Sequence, residues 1–500
     1  MKSPIISFCF FILILPVFAF TTGRTLVYLT HVSSYTLDPG KSIDRYSSEV
    51  LSNVFEGLVK YRRNSPAVEA CLAERWTVKD SGKKWTFYLR KGVKFHNGEL
   101  FNSEAVVLTF KTRLMRKAEY KTWNCNYSHI ADIYKLDDFT VEFILNKPYI
   151  PFLYSLANIK SNIIAPSSYA GDGFKPIGTG PFRISELNKG KYLTVRRNEN
   201  YWGGEIYLSK VIFKDVKNID WRILQIKNGK ADLAIVSSGK EITKIWGTSN
   251  IKTLSIPSST ISYLAFNTEK KPFNNSKARR AFAHFFNKQK MIKYILQDVA
   301  INATSPLPPH IFGFNPNIKD YDFDINRSRS LLKEAGYRNG FKVSLYYSSD
   351  EGNFELIANT LQQAAKKVNI HIVKKPVPFS RLMTIVRRRE HDMMLMGWVA
   401  DSIDPDAFLY STLTMKKGNL NQSFYNNPEF TGILEKAQKT VNNKEREKLY
   451  FRAQEILHRD MPWIPLYNSN NLIIHNKKVK NVYINQSSHL IFKHIFFEEK

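Results

Sequence analysis

Hydrophobic residues along the chain follow two periods, and the period changes from segment to segment. Runs that are apolar throughout or alternate with polar residues, such as Thr25–Leu29 and Met393–Trp398, predict strands. A spacing of three to four residues predicts amphipathic helices. Strands are predicted at residues 25–29, 85–95, 138–145, 193–197, 208–215, 231–236, 261–266 and 393–398, and strand-like alternation returns over 468–500. Helices are predicted at 47–55, from 102 or 103, and at 220–228, 277–296, 324–335, 355–368, 429–440 and 443–459.

The order of these elements indicates an α/β protein. Strands and helices alternate over most of the chain, as expected when helices cover the faces of a sheet. Residues 56–175 differ, because strands there surround one helix and predict a small α+β unit. A length of 500 residues exceeds what one hydrophobic core usually holds, so we expect two or three packed units.

The N-terminus carries the pattern of a secretory signal. Lys2 precedes an apolar stretch over residues 5–18, and small residues allow cleavage after Ala19. Such a stretch is short for a membrane-spanning helix, although an uncleaved anchor is the alternative. The mature chain keeps Cys71 and Cys125, which predict either a disulfide or two separate buried thiols.

The charge of the chain is strongly positive, with 73 Lys and Arg against 44 Asp and Glu and a net charge of +29. Such a surplus raises nucleic acid as a partner. The basic residues are spread along the chain, however, and the longest tight run is Arg387-Arg388-Arg389. We therefore expect diffuse attraction to anionic surfaces or ligands and no nucleic-acid binding.

Sequence signatures of catalysis and of metal binding are absent. The chain has no G-x-S-x-G and no H-E-x-x-H motif, and Gly178-Thr179-Gly180 between prolines predicts a tight turn without a phosphate. The histidines are scattered singly, so we expect no metal and no cofactor. The sequence thus predicts a protein that is not an enzyme.

One loop carries candidate binding chemistry. The predicted strand at 393–398 runs into a segment that contains Trp398, Asp401, Asp404 and Asp406. Ligands bind at the ends of such strands in open α/β sheets. A carboxylate beside an indole suits a cation such as a peptide amino group, which favours a binding role for Asp401. Capping of the following turn or helix is the favoured interpretation of Asp404 and Asp406.

Several segments, in order, resemble the periplasmic solute-binding proteins of the peptide, nickel and haem type that serve ABC importers. The Gly397-Trp398-x-x-Asp401 segment is similar to the dipeptide-binding proteins, and Asn267-Thr268 with Pro272-Phe273-Asn274-Asn275 resembles the Sap-type antimicrobial-peptide transport proteins more closely. The matching segments include Leu72-Ala73-Glu74-Arg75-Trp76, residues 87–98, Pro176–Phe182, Tyr201-Trp202-Gly203, Tyr263–Thr268, Arg279–Phe282 and Leu331–Gly336.

The resemblance implies a two-lobed periplasmic binding protein of type II, cluster C, with an extra α+β subdomain in the first lobe. Lobe I would comprise residues 24–55, 176–257 and 468–500, with the extra subdomain at 56–175, and lobe II would comprise 258–467. A hinge would let the lobes close over a ligand, and the closed form would dock on a membrane permease.

The resemblance also implies where the ligand lies. Asp401 would contact its amino group, Trp398 and Tyr263 would line the cleft, and Ser34 and Tyr35 would face it from the first lobe. One departure concerns the ligand carboxylate, because the loop at 348–352 lacks the arginine that dipeptide binders carry. This favours longer peptides or another solute. The cleft could be locally acidic if Asp350, Glu351, Asp401, Asp404 and Asp406 all face it.

The sequence therefore predicts a monomeric periplasmic protein that binds peptides for an ABC importer. Its partners would be the peptide, the inner-membrane permease and the ATPase subunits of that permease. Haem or nickel binding by the same fold, a periplasmic enzyme, and a surface adhesin or nucleic-acid binder are the alternatives.

Overall fold

The computed structural model describes residues 23–30, 35–116, 118–120, 127–170, 173–236, 239–245, 247–400, 402–416 and 420–498. The predicted signal peptide at 1–19, Ser34, Cys125 and Asp401 lie outside these described residues. Helices and strands alternate as the sequence predicts, so the α/β class is confirmed.

The strands are β1 (Arg24–Thr30), β2 (Val59–Tyr61), β3 (Val68–Ala70), β4 (Ala73–Lys79), β5 (Lys84–Leu89), β6 (Ile130–Asp137), β7 (Thr140–Leu145), β8 (Phe182–Asn188), β9 (Tyr192–Arg197), β10 (Leu208–Asp215), β11 (Leu233–Val236), β12 (Ile251–Phe266), β13 (Ala300–Asn302), β14 (Phe341–Ser348), β15 (Ile370–Val377), β16 (Met393–Val399), β17 (Trp463–Asn476), β18 (Val479–Lys480) and β19 (Phe496–Phe497). The α-helices are α1 (Arg45–Val54), α2 (Ser103–Met115), α3 (Phe152–Leu156), α4 (Ile219–Lys227), α5 (Gly239–Thr243), α6 (Ser276–Phe285), α7 (Lys288–Tyr294), α8 (Ile325–Glu334), α9 (Gly352–Lys366), α10 (Phe379–Arg387), α11 (Pro405–Leu413), α12 (Pro428–Ala437) and α13 (Asn443–Asp460).

One large sheet runs through both lobes. Within the described residues its order is β15-β14-β16-β12-β17-β11-β1-β10-β9-β8, with β13 added to β17. In the first lobe β1 pairs in parallel with β10 and β11, and in the second lobe β14 pairs in parallel with β15 and β16. Parallel strands buried on both faces need crossover helices, which explains the alternating pattern of the sequence.

The strands β12 and β17 connect the two lobes. They pair antiparallel over most of their length, but the register shifts between Pro257 and Ile261. Proline cannot donate to the ladder, so a break in pairing is expected beside it. The second-lobe strand β16 pairs with β12 after this shift, and the first-lobe strand β11 pairs with β17 on its other side. This two-strand connection confirms the two-lobed fold, while the exact lobe boundaries stay a prediction.

Helices cover both faces of the sheet in each lobe. In the second lobe α6 to α9 pack on one face around Phe282 and Leu345, and α10 to α13 pack on the other around Phe408 and Met394. In the first lobe α1 and the C-terminal segment cover one face and α4 covers the other. The buried stripe that the sequence assigns to residues 278–285 lies in the second-lobe core.

The described residues within 56–175 form an α+β unit, and the exact bounds of that unit stay a prediction. Four antiparallel strands in the order β4-β5-β7-β6 pack against α2, with Phe87, Phe110 and Phe143 in the shared core. Asn102 caps α2 by accepting a hydrogen bond from Ala105 N. Cys71 is a buried free thiol at the edge of this unit.

Two predicted elements end earlier than the sequence suggests. The helix predicted over 277–296 is two helices, because Asn287 accepts a hydrogen bond from Lys290 N and starts α7 instead of continuing α6. Asparagine competes with the helix backbone for its own hydrogen bonds. The strand predicted over 85–95 ends at Leu89, because Gly92 takes a positive φ of 75° and turns the chain.

None of the helices within the described ranges is both long and apolar enough to cross a membrane.

Candidate ligand-binding cleft

The register of the sheet places the carboxyl ends of both sets of parallel strands opposite each other. Val236 at the end of β11 pairs with Leu472, on the first-lobe part of β17. Trp398 near the end of β16 pairs with Ile261, directly after the register shift. Because β11 and β16 run in opposite directions, each points its carboxyl end at the other lobe. The loops that follow these strands therefore meet in a cleft above the hinge, the usual ligand position in such sheets.

Tyr35 lies on the first-lobe side, after β1. It is partly buried, its ring packs against the first-lobe core, and its hydroxyl lies 3.3 Å from Thr30 Oγ1. Burial raises the pKa of Tyr35 to about 12, so its hydroxyl stays protonated and can donate a hydrogen bond. Asp215 ends the neighbouring strand β10, and its buried Oδ1 has no hydrogen-bond partner.

Trp398 lies on the second-lobe side. Its indole Nε1 donates to Ala407 O at 3.1 Å, which fixes the ring against the start of α11. The neighbouring Val399 is 64% exposed, so the end of β16 emerges from the core. Asp401, two residues further on, is outside the described residues, and its contact with a ligand stays a prediction.

Tyr263 lies deeper than a lining residue would. It is 1% exposed, its ring stacks on Trp463 with 3.7 Å between ring centroids, and its hydroxyl donates to Gln422 Oε1. It therefore belongs to the core of the second lobe in this conformation, on the strand that pairs with the one carrying Trp398. Its predicted role as cleft lining is not tested by these contacts.

The loop after β14 is acidic, as its sequence shows. Asp350 Oδ2 accepts hydrogen bonds from Ser348 Oγ and from Phe379 N at the start of α10. Burial raises the pKa of Glu351, and the neighbouring Asp350 charge raises it further. These contacts tie Asp350 to the lobe, so Glu351 is the less constrained carboxylate of the pair.

Asp404 and Asp406 do not contribute free negative charge to the cleft. Asp404 caps α11 by accepting from Asp406 N, which confirms the capping interpretation for Asp404. For Asp406 that interpretation is wrong, because its carboxylate accepts from Tyr149 and Gln438 instead. Its two oxygens also accept from Arg446 Nη2, each at 2.7 Å, in a fully buried ion pair. The expectation that both residues acidify the cleft is therefore wrong, because both carboxylates are buried and their oxygens already have partners within the protein.

Asp406 instead connects the second lobe to the extra subdomain. Its Oδ2 accepts from Tyr149 Oη and its Oδ1 from Gln438 Nε2, both at 2.8 Å. Ile150 N adds a bond of 2.7 Å to Gln438 O. We call Tyr149, Asp406 and Gln438 the subdomain bridge. Sequence patterns do not reveal this bridge, because its three members lie far apart along the chain.

A separate cavity of about 170 Å³ lies within the first lobe, between the extra subdomain and the C-terminal segment. Glu56 faces it, but its carboxylate is held by Tyr201, Trp202 and Thr179 at 2.7–2.8 Å. Tyr35, Tyr263 and Trp398 do not line it. The ligand site predicted from the sequence is the cleft between the lobes instead, and it stays a prediction.

No group of three or more His, Cys, Asp or Glu side chains suited to a metal ion occurs in the parts of the chain that the structure describes.

Comparisons with known proteins place this geometry in a family. Residues 67–419 match the family model of the middle region of bacterial extracellular solute-binding proteins, family 5. Heme-binding protein A of Haemophilus influenzae is 30% identical over 90% of this chain and 88% of its own length. The dipeptide-binding protein of Escherichia coli is 26% identical over 99% of both chains.

Solved structures agree with these relatives. The periplasmic binding protein DppA from Helicobacter pylori, in complex with peptide STSA, is 32% identical with a TM-score of 0.79, and the match covers 96% of this chain and 99% of that one. HbpA2 from Haemophilus parasuis is 26% identical with a TM-score of 0.89, covering 95% and 100%. The closer resemblance to the Sap-type proteins is not confirmed by these relatives. With a matching model over more than half its length, the chain belongs to the bacterial extracellular solute-binding proteins of family 5.

Proposed function

We propose that this protein is the periplasmic substrate-binding component of an ABC importer. It binds peptides in the cleft and delivers them unchanged to an inner-membrane permease that is driven by ATPase subunits. The observation that carries this proposal is the pair of opposed carboxyl edges above a two-strand hinge. The peptide in the H. pylori complex and the name of the E. coli relative support peptide as the ligand class.

A protein that accepts varied side chains must recognise the termini and backbone of a peptide. Burial of a charged terminus without a partner costs several kcal/mol, so a fixed opposite charge is required. We propose that Asp401 supplies it for the amino group, beside the indole of Trp398. Ser34 and Tyr35 complete the cleft from the first lobe, and Tyr263 supports it.

Asp401→Asn is expected to weaken binding of peptides with a free amino terminus by about 10- to 100-fold, because a charge-assisted hydrogen bond is lost. Titration calorimetry with free and N-acetylated forms of one peptide measures this. The acetylated peptide should bind both proteins equally. Asp138→Asn, at an exposed turn of the extra subdomain, serves as the control. An unchanged dissociation constant for the free peptide would remove Asp401 from the site.

Export and assembly are further parts of the proposal. We propose that residues 1–19 are removed on secretion, and the intact mass of the protein recovered from the periplasm tests this. The protein acts as a monomer and does not bind nucleic acid despite its charge of +29. A salt titration of ligand binding tests the second point, because binding that rests on phosphate contacts weakens steeply with salt.

Haem is the second candidate ligand, and the name of the H. influenzae relative is the observation that favours it. If the protein binds haem, its addition to haemin should change the visible spectrum of the haemin, and haemin should compete with peptide for the protein. A spectrum that stays that of free haemin at all ratios would exclude it.

A further inference from the structure

We propose that the cavity within the first lobe is a second ligand site, which binds a small organic anion with two negative charges. This cavity, of about 170 Å³, lies between the extra subdomain and the C-terminal segment. All of its lining residues belong to the predicted first lobe and extra subdomain, so the site needs no closure of the two lobes. It goes beyond the peptide-binding function and does not depend on it.

Basic side chains line the cavity from two directions. Lys60 and Arg63 come from the hairpin of β2 and β3, and Lys493 and His494 come from the C-terminal segment. The first two residues are exposed and the other two are partly buried, so a ligand can reach all four. Arginine and lysine side chains are the usual recognition groups for carboxylates and phosphates.

Aromatic rings hold two of these cations in place. The Arg63 guanidinium lies 4.6 Å from the centroid of the Tyr483 ring, and Lys493 Nζ lies 5.1 Å from the centroid of the Tyr201 ring. Both tyrosines line the same cavity. Such cation–π contacts orient a cation without neutralising its charge.

The hydrogen bonds of the same two cations also leave their charge unbalanced. Arg63 Nη2 donates to Asn481 Oδ1 at 2.7 Å, and Lys493 Nζ donates to Gly203 O. Both acceptors are neutral. Within the described ranges of the chain, neither Arg63 nor Lys493 forms an ion pair with a carboxylate, so both charges can serve an external anion.

The two acidic residues on the cavity wall are already engaged. Glu69 lies 3.6 Å from Lys60 Nζ and 3.5 Å from Arg62 Nε. Glu56 accepts hydrogen bonds from three side chains of the first lobe, and burial raises its pKa, which favours the neutral carboxyl. The cavity therefore carries more positive than negative charge.

The basic groups also repel one another. Burial, together with the charges of Lys493, Arg63 and Lys60, lowers the pKa of His494 to about 4. Burial and the charge of Lys60 likewise lower the pKa of Lys493, although Glu56 opposes this. A bound anion replaces the repulsion with attraction, and the neutral imidazole of His494 can donate one hydrogen bond to it.

The shape of the cavity indicates an organic anion. Its wall includes Phe55, Val59 and Cys71, each at most 2% exposed, whereas the basic side chains lie nearer the surface. A hydrocarbon body therefore fits the apolar wall while its charged ends meet Arg63 and Lys493. The volume of about 170 Å³ holds roughly ten water molecules, which corresponds to an organic acid of about ten non-hydrogen atoms.

Titration calorimetry of the full chain with adipate and with glycerol phosphate, at one ionic strength, tests this site. Adipate carries two carboxylates and glycerol phosphate one phosphate on bodies of similar size, so the pair distinguishes the two anionic groups. At least one of them should saturate a single site per chain. Arg63→Gln and Lys493→Gln should each weaken that binding by about 10- to 100-fold, because a charge-assisted hydrogen bond is lost.

A matched control lies in the second lobe. Arg452→Gln, at an exposed pair with Glu429, removes the same charge far from the cavity and should bind the anion as wild type does. Equal weakening in Arg63→Gln and Arg452→Gln would mean diffuse attraction to a chain of charge +29, and would overturn the site. Arg63 is exposed, so Arg63→Gln decides the question if Lys493→Gln does not fold.

Three other results also contradict the site. One is the lack of saturable binding of either anion by wild type, and another is unchanged binding in Arg63→Gln. The third is loss of anion binding in Trp398→Ala, which would place the anion in the cleft. Failure of peptide binding leaves the anion site standing, because the two are measured with different ligands.

Discussion

Arg446→Met is expected to lower the free energy of unfolding of the second lobe by about 3 to 5 kcal/mol. Arg446 and Asp404 are 0% and 1% exposed, and their ion pair is closed by bonds to Tyr450 Oη at 2.7 Å and Ala437 O at 3.2 Å. Methionine fills similar space but leaves the Asp404 carboxylate buried without its cation. The loss comes mainly from that uncompensated charge and less from the missing attraction.

A control for this prediction lies on the same helix. Arg452 pairs with Glu429 at the surface, where both side chains are half exposed, so Arg452→Met should cost less than about 1 kcal/mol. Urea unfolding followed by tryptophan fluorescence compares the two. The double variant Arg446→Met with Asp404→Asn should recover part of the loss, because neither charge remains. Equal midpoints for Arg446→Met and Arg452→Met would contradict the ion-pair account.

Asp406→Asn is expected to change how stability depends on pH. Burial, together with the neighbouring Asp404 charge, raises the pKa of Asp406 from 3.8 to about 6. A carboxyl whose pKa is raised in the folded state resists ionisation there. The stabilising contribution of Asp406 to the free energy of unfolding is therefore fully present below pH 4. It is lost as the pH rises toward 6, by about 3 kcal/mol in all.

Asparagine keeps the shape of this side chain and cannot ionise. Between pH 4 and pH 7, the free energy of unfolding of Asp406→Asn should therefore rise by about 3 kcal/mol relative to that of wild type. Denaturant midpoints of both proteins at four pH values give this difference, and other titrating groups cancel in it. A difference that does not vary with pH would mean that burial does not raise the pKa of Asp406.

Local patterns were sufficient for most of the fold. The apolar run from Met393 predicts β16 to within one residue, and Asn102 marks the start of α2. Strand β12 is longer than predicted, because residues 251–257 alternate weakly and are held by pairing with β17. The break at Asn287 depends on one side-chain hydrogen bond, which hydrophobic spacing does not reveal.

Only those site residues that lie at the carboxyl end of a predicted strand could be predicted from the sequence. Trp398 lies at the carboxyl edge, as its sequence position indicates. The subdomain bridge was missed, because Tyr149 lies far away in the chain from its partner Asp406. Arg446 was also missed, since a buried arginine on an amphipathic helix has no local signature until its partner Asp404 is known.

Small-angle scattering during a peptide titration tests the central claim most directly. If the lobes close over a peptide about the hinge at Pro257, the radius of gyration should fall on addition of peptide. The fall should saturate with the same dissociation constant as binding measured by calorimetry. A radius of gyration that stays constant while calorimetry reports saturable binding would contradict capture between two moving lobes.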